Sequence, residues 1–307
     1  VIFLYHFEII VMYFRALLLI VFSLLLSTSF SSYALGKLGH QLVCQLSYDL
    51  LNETQQKSID KLLLTLPDST KKLINTYNYQ KQDEKISFAK ACTWADAIKR
   101  DDTFDSYKPW HYLNVSREEQ KIDAHSCQKD CLTSAILYHE NRLKQGETAQ
   151  DKVQALMFLG HWLGDIHQPL HVSFASDLGG NKVSIIPKYG KCKNLHWYWD
   201  QCLLFVEQLP KDVTPFQFLY LQLSTRINSV ETPLWHESEV YDWANESIAL
   251  VRTKDFGYCD NKNGQCLPLD NKNNDITLAY HQKYHPILLQ RMILAAHRLT
   301  SLLNSAL

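Results

Sequence analysis

The chain has 307 residues, 46% hydrophobic and 21% charged, with a formal net charge of −1. That length and apolar content suffice for a globular protein with a sizeable core. The near-neutral balance lacks the basic footprint of an electrostatic nucleic-acid binder, so any handling of phosphate requires positive charge from a metal.

Residues 1–34 read as a leader. Glu8 is out of place in a basic leader, whereas a start at Met12 supplies Arg15, an apolar run over 16–26 and a polar tail ending Ser32-Tyr33-Ala34. This predicts a signal peptide cleaved after Ala34, with residues 1–11 translated from an upstream start. The apolar run is shorter than the roughly 20 residues of a spanning helix, so no membrane association is expected of the mature form. All eight cysteines (Cys44, Cys92, Cys127, Cys131, Cys192, Cys202, Cys259, Cys266) lie beyond the cleavage point. An even count in an exported chain predicts disulfides, and the spacings are not those of paired C-x-x-C zinc knuckles.

From residue 35 onward the pattern is helical. LGHQLVCQLSYDLL (38–51) has apolar residues at helical spacing, and Asn52 with Gln55 resembles a capping box for a helix that ends before Pro67. Another helix is expected from near Ser87 through FAKACTWADAIKR. One more spans 133–144, closed by Gly146, and Thr148 caps the helix carrying DKVQALMFLGHWLGD. Helices are also predicted over 196–208, 212–229 and 233–254, and over about 275–303 with a kink or break at Pro286. KPWHYLNV (108–115), DLGGNKVSIIPKYGK (177–191) with one short strand, and the loop 257–274 read as irregular. With no repeat and no dividing linker, the expectation is one all-α domain over 35–307, with irregular or strand segments near 180–190.

The stretch HWLGDIHQPLH (161–171) carries the chemistry. His161 and Asp165 lie one turn apart on one helix face, and the spacing recurs at His196 and Asp200 in NLHWYWD. An imidazole and a carboxylate so placed can bind one divalent ion. The competing reading is an ordinary helical pair worth roughly 0.2–0.5 kcal/mol. Two copies embedded among Trp, Leu and Tyr favour metal, because ionisable groups in apolar surroundings need a partner. Gly160 and Gly164 each precede a ligand and let a neighbouring backbone or bound group approach that face. His40 in LGKLGH, Asp96 in CTWADAIKR, His111 in KPWHYLNV and His171 are further candidates. Pro169 breaks the register, so spacing leaves His167 and His171 as alternatives. A His and Asp set without cysteine suits catalytic zinc. His281 and His285 are also one turn apart, but polar neighbours and Pro286 mark a solvated face.

Taken in order, LGxxGH, TWAD, WHYLNV, FLGHWLGDIHQPLH, GGN and NLHWYWD resemble the zinc-dependent single-strand nucleases and 3′-nucleotidases of the mung bean nuclease type, related in fold to zinc phospholipase C. WANESIALV and AAHRLTSLLN look like that family's closing segments. The resemblance implies three Zn2+ per chain. One is expected on Asp96, His111, His161 and Asp165, and a second on His171, His196 and Asp200. The third uses His40, a bridging Asp165, and the amino group and carbonyl of the first mature residue, a tryptophan in the family and Leu35 here. His171 is then the ligand and His167 a supporting residue. The implied activity is hydrolysis of single-stranded DNA and RNA to 5′-nucleotides, and of 3′-nucleotides. A hydroxide held between the zincs that share Asp165 is the nucleophile, and the remaining zinc, on His171, His196 and Asp200, stabilises the departing 3′ oxygen. Asp96, Lys99 and Asp165 form the catalytic group, with Lys99 one turn after Asp96 meeting a phosphate oxygen. Tyr112, Asn114, Gly179, Gly180 and Asn181 are expected to hold the base. Cys44 and Cys92 match positions bridged in plant relatives. Local pairing then joins 192 with 202 and 259 with 266, leaving 127 with 131. A secreted or periplasmic monomer is expected.

Two rivals differ at identifiable residues. A zinc phospholipase C would carry a glutamate where this chain has Asp200, and GGN and WHY fit nucleotides better. A non-catalytic, zinc-sequestering exported protein would need neither Lys99 facing phosphate nor an open coordination position.

Overall fold

A computed structural model describes residues 35–307 except residue 128 and segments 228–237, 263–264 and 269–273. The predicted leader and the start of the predicted helix 233–254 lie outside the described residues. Helices dominate. The first, α1 (Lys37–Leu50), is followed by α2 (Glu53–Leu64), which opens on the predicted capping box: Gln55 N–H donates to Asn52 Oδ1 at 3.0 Å and Asn52 N–H to Gln55 Oε1 at 3.2 Å. A helix the sequence reading did not anticipate, α3 (Asp68–Tyr77), starts directly after Pro67, whose ring suits a helix entry.

The expected single helix from Ser87 is instead two short ones, α4 (Phe88–Ala91) and α5 (Trp94–Ala97), with a 3₁₀ turn at Ile98–Arg100. The break lies at Cys92, whose carbonyl accepts a hydrogen bond from His161 Nδ1 at 2.7 Å. Residues 108–115 are ordered rather than irregular: a 3₁₀ stretch Asp102–His111 leads into strand β1 (Leu113–Val115).

Next come α6 (Leu132–Gln145) and α7 (Ala149–His167), the latter capped by Thr148, whose hydroxyl accepts Asp151 N–H at 3.1 Å. Every residue of α7 over 155–167 is buried, because α1, α6 and the C-terminal helix α11 (Leu278–Ala306) pack around it. A helix apolar on all sides is stable only inside such a shell. Strand β2 (Val172–Phe174) pairs in parallel with β1 in the register Leu113↔Val172 and Asn114↔Ser173. The pairing brings His111, two residues before β1, beside His171, the residue before β2, whose Nδ1 lies 2.5 Å from the His111 carbonyl oxygen.

Strand β3 (Ile185–Ile186) is the short strand expected in 177–191. Beyond it lie α8 (Leu195–Asp200), a 3₁₀ turn Cys202–Leu204, α9 (Pro215–Ser224) and α10 (Val240–Val251), shorter than predicted. The loop read as irregular contains the hairpin β4 (Asp260–Lys262) and β5 (Gln265–Leu267), and β6 (Asn274–Asp275) pairs with β3. Helix α11 runs through Pro286 without the predicted break. Pro286 and Gln282 both lie on its exposed side, so the carbonyl that loses its partner faces water.

His281 and His285 do not form a solvated face. His281 is buried with Nδ1 2.8 Å from the Tyr198 hydroxyl, and His285 Nδ1 donates to Leu203 O at 2.7 Å, fastening α11 to the segment around α8. All four expected disulfides are present: Cys44–Cys92, Cys127–Cys131, Cys192–Cys202 and Cys259–Cys266. Among the described residues no helix is long and apolar enough to cross a membrane.

Candidate metal centre

The i, i+4 pair on α7 puts His161 Nε2 3.4 Å from Asp165 Oδ2, and the pair on α8 puts His196 Nε2 3.5 Å from Asp200 Oδ2. Tertiary structure adds the rest. Helix α1 carries His40 into van der Waals stacking with His161, with ring centroids 3.6 Å apart and planes at 16°. The 3₁₀ stretch ends on His111, α5 supplies Asp96, and the turn after α7 supplies His171. Three groups result whose ligand atoms lie close enough to hold a metal ion: His40, His161 and Asp165; Asp96, His111 and His161; and His171, His196 and Asp200, all of them buried.

Asp165 lies between the three groups. Its Oδ1 is 3.3 Å from His40 Nε2 and 3.9 Å from His171 Nε2, while Oδ2 is 3.0 Å from His111 Nδ1. The spacing expectation for both glycines needs one correction. A Cβ on Gly164 would lie 2.6 Å from His40 Nδ1, and one on Gly160 would run into the Cys44–Cys92 disulfide. The protein groups that approach this face are therefore a neighbouring imidazole and a disulfide rather than a backbone.

Backbone carbonyls orient three of the imidazoles. Nδ1 of His161, His171 and His196 donates to Cys92 O (2.7 Å), His111 O (2.5 Å) and Gly179 O (2.7 Å). Each Nε2 lone pair is thereby turned into the cluster, the arrangement that metal-binding histidines use. Gln168, a residue the sequence reading passed over, donates Nε2–H to Asp200 Oδ1 at 2.6 Å and accepts Leu170 N–H at 2.6 Å. That leaves Asp200 Oδ2 facing His196. Both nitrogens of His40, Asp165 Oδ1, His171 Nε2 and Asp200 Oδ2 are buried and make no hydrogen bond. Buried polar atoms without partners are rare and costly. The cluster is thus a set of inward-facing lone pairs, complementary to cations.

Electrostatics agree. Burial holds His40 and His196 at about 4, and His111 and His161 well below the ordinary histidine value, so the rings are neutral and able to coordinate. Burial raises Asp200 to about 6 and Asp165 well above the usual carboxylate range. Two such acids stay ionised only with positive charge beside them. Asp96 differs. Burial pushes it up, but Lys99, His161 and His40 together pull it below its usual value, and Lys99 Nζ is 2.7 Å from Asp96 Oδ1.

Leu35 is fully buried, its side chain against Gly39 and near Gly164, next to His40. Asn114 and Gly179 meet beside His196: a Cβ on Gly179 would be 3.3 Å from Asn114 Oδ1 and 3.5 Å from His196 Nδ1, and that Oδ1 is buried without a partner. Gly179 and Gly180 have φ of +62° and +82°, a left-handed turn that suits glycine. Asn181 Nδ2 donates to Leu178 O at 2.9 Å, and Tyr112 is 38% exposed at the rim. His167 lies outside the cluster. Its Nδ1 donates to Leu163 O at 2.8 Å, so its Nε2 accepts from Arg298 Nη1 at 2.7 Å. The eight side-chain ligands that the resemblance implies thus lie in one buried cluster, while His167, the alternative that spacing left open, does not. Among the described residues, Gln168, the Tyr77 hydroxyl 3.4 Å from Asp96 Oδ2 and the orienting carbonyls were missed, and a carbonyl has no signature in a sequence.

A family model described as S1/P1 Nuclease matches residues 35–307. Endonuclease 3 of Arabidopsis thaliana is 32% identical over 233 residues, covering 70% of this chain and 73% of the relative. Endonuclease 1 of the same plant is 28% identical over 312 residues, covering 94% and 92%. Nuclease S1 of Aspergillus oryzae is 24% identical over 289 residues, covering 89% and 92%. On this match, and with the all-α fold just described, the chain belongs to the S1/P1 nuclease family and is a hydrolase of phosphodiester bonds in nucleic acids.

Proposed function

We propose that this nuclease is zinc-dependent, holds three zinc ions, and hydrolyses single-stranded DNA and RNA to 5′-nucleotides as well as 3′-nucleotides. The observation that carries this reading is the convergence of buried, unpartnered nitrogen and oxygen atoms on Asp165 from three His and Asp groups. An oxygen and nitrogen donor set without thiolate fits catalytic zinc. Asp96, His111, His161 and Asp165 would hold one ion, and His171, His196 and Asp200 another. His40, Asp165 and the main-chain amine and carbonyl of Leu35 would hold the third. When bound, the ions would supply the positive charge that a net charge of −1 lacks and would lower the pKa of a water molecule to about 7.

The chain's own residues do the positioning. Lys99, 20% exposed beside Asp96, reaches a phosphate oxygen, and Asp96 keeps its ammonium aimed there. Gln168 and the carbonyls of Cys92, His111 and Gly179 keep the ligand rings and carboxylates from rotating. Asn114 offers its buried Oδ1 to a base N–H, with Gly179, Gly180 and Asn181 shaping the wall and Tyr112 providing a ring to stack on. A base inside a duplex cannot present its face to such a pocket, hence the preference for unpaired strands.

Residues 35–307 act as one nuclease domain and monomer, released by cleavage of the 1–34 leader to a secreted or periplasmic location. Four disulfides fit an oxidising compartment. The test is an assay on single-stranded DNA, RNA, 3′-nucleotides, duplex DNA and phosphatidylcholine, with and without a chelator. Chelator-sensitive cleavage of unpaired strands and 3′-nucleotides is expected. Turnover of lipid alone, or none at all, would overturn the reading in favour of a phospholipase C or a zinc-sequestering protein.

A further inference from the structure

Helix α3 ends in a Schellman turn: Gln80 N–H donates to Asn75 O at 2.9 Å and Tyr79 N–H to Thr76 O at 3.1 Å. The left-handed position of that turn, where glycine is usual, holds Tyr79 at φ +56°. A bulky side chain is strained there, yet Tyr79 gains no burial in return: it is 90% exposed. The turn itself is rigid. Asn78 is buried and bonded to Ile74 O (2.8 Å), Thr93 Oγ1 (2.8 Å) and Gln41 Nε2 (2.6 Å). Lys37 of α1 lies over the Tyr79 ring with Nζ 3.7 Å from its centroid, and over Tyr77 at 4.8 Å. The Tyr77 hydroxyl in turn lies 3.4 Å from Asp96 Oδ2, at the edge of the metal centre. An exposed ring on an anchored turn and an ammonium therefore adjoin the site on the α1 and α3 side.

We propose that Tyr79 and Lys37 form an outer subsite for one nucleotide of a single strand, its base stacked on the Tyr79 ring and its phosphate met by Lys37. The chemistry is that of sequence-tolerant strand binding, an aromatic platform beside a cation. The subsite rests on the nuclease reading above and extends it from the scissile phosphate to the flanking strand. It also accounts for a strained tyrosine at a glycine position: the ring is needed there.

The test measures binding of a phosphorothioate oligothymidylate to the metal-loaded enzyme, and KM and kcat on the natural oligonucleotide. Tyr79→Gly removes the ring and suits the left-handed backbone, so its melting temperature should equal or exceed the parent's. Its Kd and KM are expected to rise about fivefold or more, with the loss in KM and not in kcat. Tyr79→Phe should restore binding to within about twofold of the parent. Lys37→Ala should lower the slope of log affinity against log salt by about 0.7. Parental affinity in Tyr79→Gly, or a Phe variant as weak as the Gly variant, would overturn the subsite. Ring-dependent binding by an enzyme that leaves natural DNA intact would support the subsite and refute the catalytic reading. Cleavage with ring-independent binding would do the reverse.

Discussion

Oδ1 of Asp165 lies 3.3 Å from Nε2 of His40, although the two residues come from different helices and both are fully buried. The other oxygen faces His111 and His161. One carboxylate thus serves two sets of imidazoles. Asp165→Asn, which keeps the shape but removes the charge and one of the two oxygen donors, is expected to lower nuclease activity by more than about a hundredfold and to reduce bound metal. Parental turnover with parental metal content would contradict the bridging role.

Gly164 makes room for His40. Alanine there would set a Cβ 2.6 Å from His40 Nδ1 and 2.9 Å from its Cε1, and the buried ring has no space to retreat. Helix propensity favours the substitution by about 1 kcal/mol, but overpacking costs about 1–3 kcal/mol. Gly164→Ala is therefore expected to be neutral to destabilising in denaturant unfolding, and to lose activity out of proportion because His40 is displaced. A more stable and fully active variant would show that His40 is not held by this contact.

Gln168 bonds both Asp200 and the backbone of Leu170. Gln168→Leu removes both partners while nearly keeping the volume. Metal affinity or activity is expected to fall 10- to 100-fold, roughly the effect of losing a residue that orients a ligand. A metal titration of the apoprotein measures it, and an unchanged affinity would argue that Asp200 needs no support.

Glu246 links the end of α7 to α11. Its carboxylate accepts from Arg291 at 2.5 Å and from Arg298 at 2.6 and 2.7 Å, and the arginines reach the His167 carbonyl and ring. Burial raises the Glu246 carboxyl, but the Arg298 hydrogen bond and the charges of Arg291 and Arg298 outweigh it and hold it below its ordinary 4.5. A folded value below the unfolded one means that the stabilisation is present in full above 4.5 and is lost as pH falls through the folded value. Glu246→Gln should cost about 1–2 kcal/mol at neutral pH. This is less than a fully buried pair, because the carboxylate is 38% exposed. The difference from the parent should shrink as pH falls below 4.5; a difference constant down to pH 3 would rule out the ion pair as its source.

What could be read from the sequence follows from how far each signal travels along the chain. His161 with Asp165, and His196 with Asp200, are local: helical spacing alone puts each pair together. His40, Asp96, His111 and His171 come from four other segments, and only the resemblance joined them before the β1–β2 pairing and the packing of α1 did so in space. The misreadings are also tertiary. Helicity was expected through Cys92 because nothing local reveals that His161 takes its carbonyl. A kink or break was expected at Pro286, but α11 is unbroken there, because the cost is small where the freed carbonyl meets water. His281 looked solvated among Gln, Lys and Tyr, and its burial against Tyr198 comes from a segment some eighty residues away. Asn52 with Gln55, and Thr148, were legible because a cap is complete within four residues.

The central claim is that the buried His and Asp cluster is a metal centre. Elemental analysis of purified protein beginning at Leu35, with single-strand cleavage followed through chelation and zinc readdition, tests it most directly. The expected result is about three zinc per chain, one for each group, with activity lost and regained in step with them. A folded protein that carries no zinc and cleaves undiminished in chelator would contradict it.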